Sequence, residues 1–122
     1  MHLITKGIAA ITQHLIPPSQ ILHGGAKGVD AVAGVWAQRQ GIQQQIYQPD
    51  YPRYGSKAAP LQRNAEMVSN AEAVLAIYAA GKWRKGGTWD TVKRAAKAGR
   101  PILELEASTE RLHYTPQAPL LL

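Results

Sequence analysis

The sequence predicts a three-layer α/β/α domain built on a mostly parallel sheet of about four strands. Three observations carry that expectation. Short strand-like runs at residues 20–23, 43–48, 73–78 and 102–105, apolar apart from the weakly alternating second, are separated by stretches of helical period. Strands separated by helices imply parallel pairing through right-handed crossovers. Small and polar residues, glycine above all, gather after each of the first three runs, where a strand would hand over to a helix.

The elements follow in order. Ile4, Ile8, Ile11 and Leu15 recur at helical spacing until Pro17 and Pro18 stop the helix. A strand at 20–23 runs into Gly24-Gly25-Ala26-Lys27-Gly28-Val29-Asp30. Val29, Val32 and Trp36 then mark one helical face, and Gly41 is placed to cap its end. Residues 43–48 alternate weakly as a strand. Residues 49–59 read as a loop by their Pro, Gly and Ser content, and Pro60 opens the next helix, with Leu61, Ala65 and Val68 inward. A buried strand at 73–78 precedes a Gly- and Lys-rich loop. Thr88 is placed to cap a helix with Trp89, Val92 and Ala96 inward and Lys93, Lys97 and Arg100 outward. After the strand at 102–105, the residues from 107 on show no period. The expected division is therefore one domain over 1–106 and a tail over 107–122.

Composition narrows the class. With 122 residues and 45% hydrophobic content, one core is feasible without staples. The absence of Cys excludes a disulfide scaffold, Cys-ligated zinc and thiol catalysis. No apolar run is long enough to span a membrane, and Lys6, Gly7, Gln13 and His14 interrupt the opening too often for a secretory leader. A cytoplasmic protein without a membrane partner is expected. His2, His14, His23 and His113 lack metal-ligand spacing, and neither a nucleophile-elbow nor a phosphate-loop NTPase motif is present, so no metal and no cofactor is expected.

The net charge of +6 is concentrated. Residues 82–100 hold Lys82, Arg84, Lys85, Lys93, Arg94, Lys97 and Arg100 against Asp90 alone. Such a patch attracts phosphates, on a nucleotide or along a nucleic-acid strand, or is a solvated helix face. Of the nearby tryptophans, Trp83 is the one expected to be free for base stacking.

In a parallel α/β sheet, ligands sit beyond the carboxyl ends of the strands, where the connecting helices also begin. The three unusual junctions, 24–30, 49–64 and 82–90, all belong there. Gly24, Gly25 and Gly28 allow backbone N–H groups to approach an anion, with Lys27 beside them, or simply make a tight turn. Asp30 is placed to bind a ribose hydroxyl, the Gly loop or the helix end. Arg63 is placed to clamp a phosphate or carboxylate, with Asn64 beside it, or is an ordinary exposed Arg. Gly86, Gly87 and Thr88 repeat the small-residue approach to a helix N-terminus. Tyr51, Arg53, Tyr54 and Lys57 are placed to cover a base or to pack under their own loop.

The segments HGGAKGVDAVAGVWA, PDYPRYGSKAAPLQRNAEM, NAEAVLAIY and GGTWDTVKRAAKAGRPILEL resemble the cpYpsA-related SLOG family over residues 20–105. That family sits in a Rossmann-like superfamily with the Lonely Guy phosphoribohydrolases and the DNA-processing protein DprA. The resemblance implies a pocket for a nucleotide or nucleotide derivative, used as a sensor, on Gly24, Gly25, Asp30, Arg63, Asn64, Gly86, Gly87 and Thr88. Family members begin with a central strand and a phosphate loop. Here residue 1 leads almost directly into the first helix, so the fold is expected to be N-terminally truncated, and its sheet gapped, repaired or completed by a partner chain. A homo-oligomer follows, with Leu120, Leu121 and Leu122 as candidate contacts. The phosphoribohydrolases place an acidic pair two and three residues after the Thr. Here those positions are Asp90 and Thr91, so the second carboxylate is absent. The leading expectation is nucleotide binding without strong catalysis. The alternatives are an N-glycosidase using Arg63 and Asp90, and a single-stranded nucleic-acid module; weak, non-specific nucleic-acid binding is expected in any case.

Overall fold

A computed structural model describes residues 2–116, so Leu120, Leu121 and Leu122 lie outside the described residues. The order is α1 (His2–Ile11), β1 (Gln20–His23), α2 (Val29–Gln40), β2 (Gln43–Ile46), α3 (Tyr51–Asn70), β3 (Val74–Tyr78), α4 (Gly86–Lys97), β4 (Ile102–Glu106) and β5 (Leu112–Thr115).

The sheet departs from expectation. β1 pairs with β2 in parallel, β3 pairs with β4 in parallel, and β5 joins β4 antiparallel. These form two separate sheets, in place of one mostly parallel sheet of four strands. No strand of the β1–β2 pair is hydrogen-bonded to a strand of the β3–β4–β5 sheet. Strands pair only when their backbones lie about 5 Å apart. No described strand joins the two sheets.

Helices nevertheless cover both faces. Ile4 of α1, Ile77 of β3 and Leu105 of β4 form one buried cluster, joined by Ile8 and by Val32, Ala33 and Trp36 of α2. The opposite face buries Val68 of α3, Ala76, Tyr78, Val92, Ala95 and Ile102. Strand alternation explains the division: Leu75 and Ile77 point to one face, Ala76 and Tyr78 to the other. Helical α1 comes close enough to β3 that a Cβ on Gly7 would lie 2.7 Å from Leu75 Cδ1.

Several local expectations need correction. Residues 51–59 are helical. The Asp50 carboxylate accepts from Arg53 N at 3.2 Å, and Pro52 suits the first helical turn, so this segment starts α3. Gly55, at φ 83°, breaks the helical path, so Pro60 lies in the opening turns of the second segment and does not begin the helix. That kink turns Leu61 outward at 42% exposure and buries Ala59, Asn64 and Val68. Val29 is likewise exposed. In α4, the helix begins at Gly86, with Lys85 as N-cap and no side-chain cap bond, so Thr88 lies inside it. Ala95, not Ala96, is the buried alanine of that helix. Residues 107–111 make a tight turn in which Thr109 Oγ1 donates to Glu106 Oε1 at 2.7 Å and Arg111 N donates to Thr109 Oγ1 at 3.1 Å. That turn returns the aperiodic segment as β5.

Candidate functional site

At the end of β1, the backbone folds onto side chains of its own neighbourhood. Asp30, in the first turn of α2, accepts from Gly24 N at 3.1 Å and Ala26 N at 3.2 Å. His23 Nδ1 accepts from Gly25 N at 3.1 Å. The opposite ring nitrogen of a neutral imidazole then carries the proton, and Nε2 donates to Gln44 Oε1 at 3.0 Å. The three N–H groups that a glycine loop would offer to an anion are therefore engaged. Asp30 takes the reading in which it binds the loop itself. Lys27 and Gly28 are exposed beside it.

Arg63 is not the ordinary exposed side chain allowed by the sequence. It is half-buried, and its Nη1 donates to the carbonyls of Gly24 at 3.0 Å and Tyr47 at 3.3 Å, tying the ends of β1 and β2 to α3. The approach is close enough that a Cβ on Gly24 would lie 2.7 Å from Arg63 Cζ, so glycine is the residue that fits. Arg63 Nε donates to Asn64 Oδ1 at 2.9 Å. Buried Asn64 donates through Nδ2 to Asp90 Oδ2 at 3.1 Å, and Arg94 Nε donates to the same oxygen at 2.8 Å. Burial pushes the Asp90 carboxyl up. The bonds from Arg94 and Asn64, with the charges of Arg94 and Lys93, more than offset this and hold it below the usual carboxylate range. Arg63 and Asp90 belong to one network with Asn64 between them.

A shallow cleft opens on the other side of Arg63, with Gln48, Asp50, Tyr54, Gln62 and Glu66 in its walls. Tyr54 is 39% exposed, and the Arg53 guanidinium lies 5.2 Å from its ring centre. Gly86, Gly87 and Thr88 form the first turn of α4, whose leading N–H groups receive no side-chain cap.

Sequence reasoning missed a second polar centre. Glu104, only 2% exposed on β4, accepts from Tyr78 Oη at 2.7 Å, from Arg84 Nε at 3.1 Å and from Arg84 Nη2 at 3.0 Å. Burial and this carboxylate drive the Tyr78 hydroxyl well above its ordinary pKa. Burial pushes Glu104 up as well, but Arg84 and Tyr78 together hold it below its ordinary value. Arg84 thereby fixes the loop before α4 in a left-handed turn, at φ 55°. A charged residue inside an apolar strand, ILELE, was the available signal. Trp83 is not free for stacking. It packs edge-on to Tyr78 at 5.2 Å, with Arg111 at 4.4 Å and Arg84 at 5.3 Å from its ring centre. Among the described residues, no group of three or more His, Asp or Glu is placed to hold a metal ion, and no helix is long and apolar enough to cross a membrane.

Helices on both faces of parallel strand pairs, with a polar network at the strands' carboxyl ends, define a mixed α/β protein of Rossmann-like type. Within that class, residues 2–54 match the profile of the YspA, cpYpsA-related SLOG family, and the chain belongs to that family. It is also similar to the Gene 61 protein of Mycobacterium phage D29, 34% identical in an 88-residue alignment that covers 68% of this chain and 68% of that protein. No solved structure gives a significant match.

Proposed function

We propose that the chain binds a nucleotide or nucleotide-derived ligand at the carboxyl rim of its strands, as a cytoplasmic sensor or regulatory domain. The observation that supports this reading is the hydrogen-bonded series Gly24–Arg63–Asn64–Asp90–Arg94, which joins the ends of β1 and β2 to α3 and α4. Arg63 keeps one amino group, Nη2, outside the hydrogen bonds of the described residues, and the uncapped first turn of α4 offers N–H donors to an anion. The ligand's phosphate is assigned to these donors and Lys27, because Asp30 and His23 already hold the amides of residues 24–26. Tyr54 supplies an aromatic wall next to Arg63. Asp90, held ionised by Arg94 and Asn64, serves to orient Asn64.

Calorimetric titration with AMP, ADP-ribose and NAD, paired with mass spectrometry of small molecules released from purified protein, tests this. Saturable binding of at least one of the three is expected. Absence of both bound and titrated nucleotide removes the proposal. Steady hydrolysis that depends on Arg63 and Asp90 replaces it with an N-glycosidase.

A homo-oligomer belongs to the same reading. The two sheets are not joined by strand pairing among the described residues, and Ile46 and Val35 are 52% and 42% exposed. Light scattering at tens of micromolar is expected to give a dimer or larger species; a monodisperse monomer overturns this.

A further inference from the structure

The geometry points to a docking surface for the backbone of a single-stranded nucleic acid along the exposed face of α4. Intramolecular pairing leaves the basic patch largely uncompensated. Of the seven cations between residues 82 and 100, Arg84 pairs with Glu104 and Arg94 with Asp90. Lys82, Lys85, Lys93, Lys97 and Arg100 have no carboxylate within 4.0 Å among the described residues.

Three of them follow α4 towards and past its end, while Lys82 and Lys85 belong to the loop before it. Lys93 and Lys97 stand one turn apart on the exposed side of α4, about 6 Å along its axis, near the advance of one nucleotide in a stretched strand. Arg100 follows the helix end and is held beside α3 through Nη2 to the Ser69 carbonyl at 3.4 Å. The groove between α3 and α4 has a floor of Ala65, Val68 and Ala98 and a wall containing Arg94 and Lys97.

A single strand suits this surface better than a duplex. The opposite face of α4 is packed into the core through Val92 and Ala95, and Lys93 and Lys97 form a single turn-spaced row, which matches one phosphate backbone and not two. A membrane fits less well, because the large exposed apolar side chains, Ile16, Val29, Val35, Ile46, Tyr51, Tyr54, Leu61 and Leu112, all lie on other segments. Base stacking is not available either. Trp83 is covered as described, and Trp89 lies 5.5 Å from Arg84 and 5.8 Å from Lys93. Contact is therefore through phosphates and indifferent to sequence.

Fluorescence anisotropy of a labelled oligothymidylate, titrated at several salt concentrations, tests the assignment. Phosphate contacts by all five cations set the steepest slope of log affinity against log salt at about −3.5. Lys93→Gln/Lys97→Gln should make that slope shallower by about 1.4. Lys6→Gln/Arg39→Gln removes the same charge elsewhere and should leave it nearly unchanged. Equal effects of the two double variants would show general charge attraction and overturn the surface. No binding at low salt does the same. Tighter binding to duplex, or binding only to phosphatidylserine vesicles, overturns the single-strand assignment.

Discussion

Glu104→Ala is expected to lower the unfolding free energy by about 3 kcal/mol. Two losses combine. The Tyr78 hydroxyl, on a side chain only 1% exposed, is left without its acceptor, which costs on the order of 1–3 kcal/mol. The two charge-assisted bonds from Arg84 also go, and their contribution is discounted because Arg84 is 39% exposed and recovers water. Glu104→Gln keeps the shape and one acceptor oxygen, so it should cost less. The pH dependence has a definite sign. Arg84 and Tyr78 depress the folded-state pKa of Glu104 below its unfolded value, so the stabilisation is fully present above the ordinary carboxylate pKa. It is lost as pH falls from there through the folded-state pKa. Asp90, depressed by Arg94 and Asn64 despite its burial, acts in the same direction. Urea unfolding across an acid series should show the gap between wild type and Glu104→Gln closing as the carboxylate protonates. A gap independent of pH would show that the charge of Glu104 is not what stabilises the fold.

Arg63→Ala is expected to weaken nucleotide binding roughly tenfold to a hundredfold, the loss of charge-assisted bonds worth about 1.5–3 kcal/mol. It should also destabilise the protein, by about 1–3 kcal/mol, because the carbonyls of Gly24 and Tyr47 lose their donor. Sequence alone suggests little change in stability, since an exposed Arg adds little to a core; the half-buried position alters that expectation. Arg63→Lys keeps the charge without the planar fork and should recover only part of either loss. Calorimetric titration and thermal unfolding of the three proteins separate the effects. Unchanged affinity in a folded Arg63→Ala protein would remove Arg63 from the ligand site, whatever its effect on stability.

Much of the fold is legible in the chain itself, wherever a local rule suffices. A continuous apolar run marks β3, as a strand covered on both faces requires, and the apolar residues of ILELE and the pair Ile21-Leu22 mark β4 and β1. The end of α2 is legible at Gly41, whose left-handed backbone, φ 67°, lets its N–H reach the carbonyls of Ala37 and Gln38. The resemblance indicated the family, and of its segments GGAKGVD lies within the residues 2–54 that match. Other features depend on partners far away in sequence. Residues 51–59 look like a loop because the Pro and Gly content is visible, while the Asp50 cap and the kink at Gly55 are matters of backbone geometry. β5 has little period of its own, and its pairing with β4 makes it a strand. Arg63 acquires its role from Gly24, 39 positions away, and Glu104 from Tyr78 and Arg84, 26 and 20 positions away. Periodicity records which face of an element is apolar. It does not record which distant edge or polar group that element will meet, and this decided the two-sheet arrangement, the Arg63 network and the buried Glu104.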